Sequence, residues 1–168
     1  MSKKTILLVM ILLIGFYAFI SGYVKKAILY INVKYKSDIS QIEHIENSRY
    51  GKPLTLVIGK DREGRNVAIW MNSINGYFTP EIEGEVSLEN IISKEKAQQI
   101  VIDNRLMDNI KYIQLSYYKN PNDTLKEGEL KEGAYWYIRD DDYINVYINI
   151  NTGEYYVYNT KIGEYVNK

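Results

Sequence analysis

Tyr143–Ile150 reads YINVYINI and alternates apolar with polar or aromatic side chains without a break. Successive side chains of a β-strand point to opposite faces, so this pattern predicts a strand with one buried face. Asn151-Thr152-Gly153 has the composition of a tight turn, and Glu154–Tyr158 can pair back as the next strand. The segment therefore predicts an antiparallel hairpin.

Two more strands and a helix precede this hairpin. Ala134–Ile138 and Ile110–Tyr118 each place alternate apolar side chains on one face. Ser93 is a typical N-cap for a helix that runs to about Leu106, and Glu95 in the first turn interacts favourably with the helix dipole. One helix covering one face of a small antiparallel sheet is an α+β arrangement.

Nearer the start of the chain the same order of elements is predicted again. Lys25–Lys36 has helical spacing and ends at Ser37, and Ile39–Ser48 follows as a candidate strand. Leu54–Gly59 and Arg65–Met71 are two further strands, joined by a polar loop. The apolar residues that share one side of the helix are Ala27, Ile28, Ile31 and Tyr35.

Residues 76–90 separate these two halves and contain glycines, a proline and four acidic residues with little periodicity. We interpret them as a linker between a first domain, 25–75, and a second domain, 91–168. Each domain would pack one helix on one small antiparallel sheet. Because domains of this size are marginally stable alone, we expect the two to dock against each other.

The chain also contains a candidate membrane anchor, Thr5–Val24, with 20 residues, no charge and two lysines on each side. At about 1.5 Å per residue a helix of this length crosses a hydrocarbon core of roughly 30 Å. A cleaved secretory signal would have a shorter apolar core and a small-x-small cleavage site, so we expect an uncleaved anchor. We place residues 1–4 in the cytoplasm and the domains outside the membrane, because the free amino terminus adds positive charge to the short tail.

Composition excludes several classes of function. Residues 1–26 hold four lysines and no acid, which leaves 17 basic and 21 acidic residues in the remainder, a net charge of −4. A surface for nucleic acid would need a basic stripe, and we expect no nucleic-acid partner. The chain has no Cys and one His, so disulfides and thiolate metal sites are excluded and a catalytic triad is not expected. We expect no metal and no cofactor.

Two short motifs have both a catalytic or metal-binding interpretation and a structural one. Ser93–Lys96 matches the S-x-x-K motif of penicillin-recognising enzymes, but the accompanying S-D-N and K-T-G elements are missing. We therefore interpret Ser93 as a helix cap. Asp140–Asp142 clusters carboxylates as a calcium site would, but an EF-hand loop also needs alternate spacing, a central Gly and a distal Glu. We interpret it as a turn between strands.

The remaining polar candidates also favour a structural interpretation. His44, beside acidic neighbours, could act as a base or a pH-sensitive group, but such a residue is more often a surface position. Paired carboxylates for glycoside chemistry must be held at a fixed separation, whereas the four acidic residues of the linker lie in a segment without periodicity. These are Glu81, Glu83, Glu85 and Glu89. We predict that the protein is not an enzyme.

A set of tyrosines is the surface feature that most suggests a partner. On two neighbouring predicted strands they lie opposite the apolar face, and tyrosine is enriched at protein interfaces. They form a candidate partner surface or, alternatively, cover the outer face of the sheet or dock the two domains. The set is Tyr135, Tyr137, Tyr143 and Tyr147.

The second domain resembles a PepSY domain. ISKEKAQQIVIDN at Ile92–Asn104, AYWYI at Ala134–Ile138 and VYININTGEYY at Val146–Tyr156 are similar to that family's helix and its closing strand and turn. Asn149 stands where the family often has Asp, and the middle loop is longer. With VIGKDREGRNVAIWM at Val57–Met71 and one N-terminal span, the whole layout is similar to the YpmB/TseB-like family of low-GC Gram-positive bacteria.

That resemblance implies an anchor followed by two tandem cystatin-like domains outside the membrane. It also implies a regulator of cell-wall elongation that associates with a penicillin-binding transpeptidase, a role that needs no catalytic residues. An alternative with the same fold is a PepSY- or cystatin-type inhibitor or sensor that acts on an extracytoplasmic protease.

Overall fold

The computed structural model describes residues 3–48, 54–72, 80–119 and 130–165. Within these ranges the chain forms two helices and nine strands in two antiparallel sheets, which confirms the α+β class. The elements are α1 (Lys3–Lys36), β1 (Gln41–Asn47), β2 (Leu54–Lys60), β3 (Asn66–Asn72), β4 (Ile82–Ser87), α2 (Lys94–Asp103), β5 (Tyr112–Tyr118), β6 (Gly133–Arg139), β7 (Ile144–Asn149), β8 (Tyr155–Asn159) and β9 (Glu164–Tyr165).

Helix α1 is one continuous element of 34 residues and is long and apolar enough to cross a membrane. It ends where expected, because the backbone N–H and the hydroxyl of Ser37 both donate to the carbonyl of Val33, at 3.0 and 2.8 Å. The side of α1 that packs on the first sheet is not the one that Ile31 and Tyr35 share. Val33 is fully buried and Leu29 lies beside it, whereas Tyr35 is 86 % exposed.

The first sheet has the strand order β1-β2-β3-β4, with every neighbouring pair antiparallel. One face packs on the end of α1, where Val33 contacts a cluster that includes Val57 and Ile69. The opposite face carries Leu56 and Trp70, which are also buried. Both faces are therefore covered, which explains why β2 and β3 are almost continuously apolar instead of alternating.

Strand β4 corrects the predicted linker. Residues 82–87 pair with β3 in the first sheet, whereas the sequence placed them in a connection between domains. The sequence does not indicate this strand because acidic residues alternate along it and it contains few apolar residues. Glu85, for example, points to solvent. The inner position of the strand is Gly84, which is buried against the ring of Tyr117. The part of the predicted linker at 76–79 lies outside the described residues.

The second sheet has the strand order β5-β6-β7-β8-β9, and its apolar faces are those that alternation predicted. Helix α2 covers one face by burying Ala97 and Val101 against Ile138, Val146 and Ile148. The short strand β9 was not predicted. Two residues carry too little periodicity to indicate a strand.

A shared core joins the two domains, as expected from their size. Trp70 of the first sheet and Leu115 of the second belong to one buried cluster, and the rings of Trp70 and Tyr117 lie 5.4 Å apart between centroids. Trp136 contacts both this shared core and the core under α2. Its indole N–H donates to the carbonyl of Ile92 at 2.7 Å, which satisfies the polar atom of a largely apolar side chain.

In both domains an aspartate side chain accepts backbone N–H groups within the turn between two strands. Asp61, between β2 and β3, accepts backbone N–H groups from Glu63 and Arg65, both at 2.9 Å. Asp140, between β6 and β7, accepts from Asp142 and Ile144 at 2.8 and 2.9 Å. Each aspartate directly follows the second strand of its sheet and is buried. The repeated order of elements therefore extends to the chemistry of a turn.

Gly84 offers a test of the shared core. A Cβ at this position would overlap the ring of Tyr117, so we expect Gly84→Ala to destabilise the full-length protein in detergent micelles by about 1–3 kcal/mol through overpacking. Urea unfolding followed by tryptophan fluorescence measures this change. The exposed neighbour provides the control, since Glu85→Ala should change stability by less than about 0.5 kcal/mol. Equal effects of the two substitutions would contradict the close approach.

Asp61 makes the stability of the first domain depend on pH. Burial by itself raises the pKa of this carboxyl, but hydrogen bonds from Arg65, the charge of Arg65 and the N–H of Glu63 together hold the pKa below its ordinary value of 3.8. The side-chain N–H of Arg65 donates to Asp61 Oδ2 at 2.7 Å. Because the folded-state pKa is the lower one, the stabilisation is present above 3.8 and is lost as the pH falls through the folded-state pKa.

We expect Asp61→Asn to remove this dependence while keeping an acceptor for the two backbone N–H groups. The free energy of unfolding of the wild type, minus that of the variant, should be positive at neutral pH and shrink below pH 3.8. Urea titrations from pH 7 down to the acid limit of solubility measure this difference. A difference that stays constant with pH would show that the carboxylate charge contributes nothing.

Candidate partner-binding surface

The structure brings three of the four candidate tyrosines together. Tyr135 and Tyr137 lie on β6 and Tyr147 on β7, with ring centroids of Tyr137 and Tyr147 at 5.2 Å and of Tyr135 and Tyr147 at 6.3 Å. Tyr143 stands apart, in the turn before β7, with a φ of 66° and 52 % of its surface exposed. The predicted face is correct for the first three residues, because Tyr137 and Tyr147 are directly opposite each other across β6 and β7.

Two of these tyrosines cannot be the partner surface that the sequence suggested. Tyr135 is 1 % exposed and Tyr137 is 6 % exposed. Their hydroxyls are already engaged within the protein, since Tyr135 donates to the carbonyl of Lys131 at 2.7 Å and Tyr137 donates to Asn145 Oδ1 at 2.6 Å. Tyr135 and Tyr137 therefore cover the outer face of the sheet, which was the alternative interpretation of these tyrosines.

We call this covering the tyrosine layer. It is built by cross-strand neighbours, because Tyr147 faces Tyr137 on one side and Tyr156 on the other. Burial raises the pKa of Tyr147, and burial with a hydrogen bond to Glu154 raises the pKa of Tyr156 to about 12, so these phenols stay neutral at physiological pH. The members of the layer are Tyr118, Leu130, Tyr135, Tyr137, Tyr147, Tyr156 and Tyr165.

Sequence reasoning missed the other members of the tyrosine layer. Tyr156 lies on β8 and Tyr165 on β9, and both pack on the outer face with Tyr135 or Tyr147. The register of β7 against β8, which pairs Tyr147 with Tyr156, was the signal that could have found the first of them. The turn that sets this register is in the sequence as Thr152-Gly153, and Gly153 has a φ of 77°.

One exposed apolar patch remains near the predicted surface. The backbone N–H of Thr160 donates to the carbonyl of Tyr143 at 2.9 Å, which brings the turn between β8 and β9 beside the turn between β6 and β7. The turn between β8 and β9 carries Ile162, which is 59 % exposed. We call Tyr143 and Ile162 the hairpin-tip patch. It lies at one end of the second sheet, outside the tyrosine layer.

The catalytic and metal-site candidates do not assemble into a common site. Ser93 Oγ accepts the backbone N–H of Lys96 at 3.2 Å and caps α2. The carboxylate of Asp140 is used inside its turn. His44 lies on the edge strand β1, with Nε2 3.6 Å from Glu46 Oε2. The described part of the chain holds no group of three His, Cys, Asp or Glu side chains placed to bind a metal.

Two acidic residues of the predicted linker lie in different surroundings. Glu85 faces solvent, while Glu83 has a side chain that is 10 % exposed. Glu83 accepts a hydrogen bond from the amide of Asn72 at 3.3 Å and lies 3.7 Å from the ammonium of Lys119. Because Lys119 follows β5, this ion pair links the two domains. Glu83 therefore contributes to docking.

Comparison with known proteins adds one finding on the fold. No family model matches the chain, and no curated protein matches it by sequence. Among solved structures, the YpmB protein from Bacillus subtilis is similar, with a TM-score of 0.51 and 17 % sequence identity. The match covers 80 % of this chain and 91 % of that one. This protein has a YpmB-like fold.

The YpmB-like fold agrees with the resemblance noted in the sequence. At 17 % identity the likeness concerns the path of the chain and not individual side chains. It spans most of both chains. The α+β arrangement described above is therefore similar to that of a known structure.

Ser93 distinguishes a helix cap from a nucleophile. We expect Ser93→Ala to lower stability by about 1 kcal/mol because an N-cap hydrogen bond is lost. Ser93→Asp should preserve it, since Asp also caps helices well. Thermal unfolding of the full-length protein in micelles measures both. The cap interpretation would be contradicted if Ser93→Asp were as unstable as Ser93→Ala, or if wild-type protein, but not Ser93→Ala, were covalently labelled by a fluorescent penicillin.

Proposed function

We propose that this protein is a non-enzymatic, single-pass membrane protein whose external module binds another protein of the wall-synthesis machinery. By analogy with the YpmB/TseB-like family that the sequence resembles, the partner would be a penicillin-binding transpeptidase. The two domains would be of the cystatin-like type, the second PepSY-like, with the amino terminus in the cytoplasm. The observation that supports this proposal most is the likeness to YpmB over 91 % of that chain.

The junction of helix and module supports a tethering role. Helix α1 runs without interruption from its apolar part into the first sheet, where Val33 is fully buried against Val57 and Ile69. A packed helix has no free rotation at this point, so the module keeps a set height and orientation above the bilayer. A partner in the same membrane is confined to the same layer. Confinement raises the effective concentration, so a weak contact suffices for binding.

The use of the polar candidates supports the absence of catalysis. Three polar groups that the sequence offered as candidates make structural interactions, namely the cap at Ser93, the turn at Asp140 and the interdomain ion pair at Glu83. A catalytic group needs a position within hydrogen-bond reach of a substrate and of its catalytic partners. These three residues instead stabilise a helix terminus, a hairpin and the docked domains.

The hairpin-tip patch is the proposed contact on the second domain. Tyr143 and Ile162 are large apolar side chains, each more than half exposed, on adjacent turns. Tyrosine supplies a large contact area at low conformational cost, and such residues dominate binding energy at interfaces. Of the four tyrosines proposed from sequence, Tyr143 is the one with more than half of its surface exposed.

Crosslinking in cells tests the proposal with the intact anchored protein. We expect purification after crosslinking to recover a penicillin-binding protein, identified by mass spectrometry, and Tyr143→Asn to reduce its recovery several-fold. Asn suits this position because it tolerates a positive φ better than most residues. Ile102→Ala is the control, since Ile102 is 60 % exposed on α2 and is remote in sequence from the hairpin-tip patch. It should leave recovery unchanged.

The alternatives give different results in the same experiment. Recovery of a membrane-bound protease in place of a penicillin-binding protein would favour the inhibitor or sensor. Equal recovery by wild type and Tyr143→Asn, with a penicillin-binding protein present, would place the contact elsewhere on the module. Absence of any penicillin-binding protein from the wild-type sample would contradict the proposed partner.

A further inference from the structure

The end of α1 presents an exposed apolar side beyond the predicted span. In residues 26–36, Ile31 is 55 % exposed and Tyr35 is 86 % exposed, while Ile28 is half-buried. With about 100° of rotation per residue, the apolar residues of this side fall within an arc of about 160°. We call them the outer side of α1, which consists of Ala27, Ile28, Tyr30, Ile31 and Tyr35.

Polar residues lie on the other side of the same segment. Lys26, Asn32 and Lys36 fall within a separate arc of about 120°. Leu29 and Val33, which pack on the first sheet, lie inside that arc. The outer side is therefore centred about 160° away from the contacts with the module. This part of α1 is an amphipathic helix that carries the module on its polar side.

Charge is largely kept off the outer side of α1. Lys34 is the one charged residue of the segment whose position falls in the same arc, and its ammonium donates to the carbonyl of Ser40 in the module. The amide of Asn32 donates to the carbonyl of Ile28 at 2.9 Å. The sequence has no acidic residue before Asp38. The outer side therefore presents aliphatic side chains and tyrosine rings without a carboxylate.

The width of the outer side favours lipid over a second helix as its cover. Two paired helices need only a narrow apolar seam, whereas lipid contacts every exposed apolar side chain. A broad apolar side opposite a polar one is typical of helices that lie at the boundary between headgroups and acyl chains. Tyr30 and Tyr35 suit that level, because tyrosine is enriched where a membrane meets water.

The outer side also continues the part of α1 that is able to cross a membrane. That part runs over Leu12–Lys36, and α1 has no break between it and the first sheet. Because helices in membranes tilt by up to about 40°, α1 can lean toward the bilayer surface without bending. Leaning in the direction of the outer side brings Ile31 and Tyr35 down to the headgroups and keeps the module on the upper side of the helix.

We propose that the outer side of α1 lies on lipid at the external surface of the membrane, with the first domain on the opposite side of the helix. The bilayer then fixes the direction in which α1 leans, and with it the side of the module that faces a partner in the same membrane. This inference rests on the proposed anchor. It extends the membrane contact from Val24, the predicted end of the span, to Tyr35.

Spin labels on introduced cysteines test this contact, because the chain contains no Cys of its own. The full-length protein is reconstituted into vesicles of phosphatidylethanolamine and phosphatidylglycerol. Collision rates of the label are then measured with O₂, which partitions into lipid, and with a water-soluble nickel chelate. We expect the ratio of the O₂ rate to the nickel rate to be several-fold higher at Ile31→Cys and Tyr35→Cys than at Ile102→Cys. Ile102 is the matched control, since it is 60 % exposed on α2 of the second domain.

A second pair of labels compares the two sides of α1 at almost the same height. Lys26→Cys and Ala27→Cys occupy adjacent exposed positions that differ by about 100° around the helix. We expect the ratio to be higher at Ala27→Cys, because Ala27 belongs to the outer side. Urea unfolding that matches the wild type shows that the module of each labelled protein is folded. Equal ratios at the two positions would contradict a lipid-facing side.

Two further outcomes would overturn the proposal. A ratio at Ile31→Cys as low as that at Ile102→Cys would place the outer side in water. Low collision rates with both reagents at Ile31→Cys, together with spin–spin broadening that added unlabelled protein removes, would show that a second copy covers the outer side.

Alkaline extraction distinguishes failure of the anchor from failure of the lipid contact. Release of the wild-type protein from the vesicles by alkaline carbonate would contradict the anchor and with it the contact. Retained protein whose labels at positions 31 and 35 are in water would contradict the lipid contact and leave the anchor intact.

Discussion

The first sheet is buried on both faces, and the rest of the structure depends on that constraint. One face receives the end of α1 through Val33, and the other receives the second sheet around Trp70. Neither neighbour can be removed without exposing a continuous set of apolar side chains to water, at a cost that grows with the exposed area. The helix, the first domain and the second domain are therefore one mechanical unit, although the sequence reads as two similar halves.

The two halves share their order of elements and a buried aspartate in the same turn, but they differ in how the second face of each sheet is covered. The first sheet uses the second domain as its cover. The second sheet covers its outer face with side chains of its own, since Tyr135, Tyr147 and Tyr156 pack edge to face across three strands. Such edge-to-face contacts are favourable for aromatic rings. A repeat of topology has thus produced one sheet whose second face needs a neighbouring domain and one whose outer face is covered by its own side chains.

This difference determines which apolar surfaces stay exposed to other molecules. The tyrosine layer is occupied by internal contacts, so exposed apolar side chains are found at the hairpin-tip patch and along α1. The first lies on the second domain and the second on the helix that is long and apolar enough to cross a membrane. A rigid connection between them means that contact at one surface sets the position of the other.

Local pattern in the sequence determined the α+β class, the end of α1 at Ser37, the cap at Ser93 and the apolar face of β7. Each of these depends on neighbours within a few residues, where helical and strand periodicities operate. The same periodicity placed Tyr135 and Tyr137 on the correct face but could not show that the face is covered. Covering requires side chains such as Tyr156 and Leu130 that only the folded chain brings there.

Strand β4 and the packed side of α1 were decided by tertiary structure for the same reason. Gly84 offers no apolar signal in the sequence, yet its missing side chain is what admits the ring of Tyr117, 33 residues away. On α1, two apolar sides compete, and the first sheet selects the one that holds Leu29 and Val33. Periodicity identifies which residues share a side. Contacts between distant segments decide which side is buried, because burial is a property of the pair and not of either segment alone.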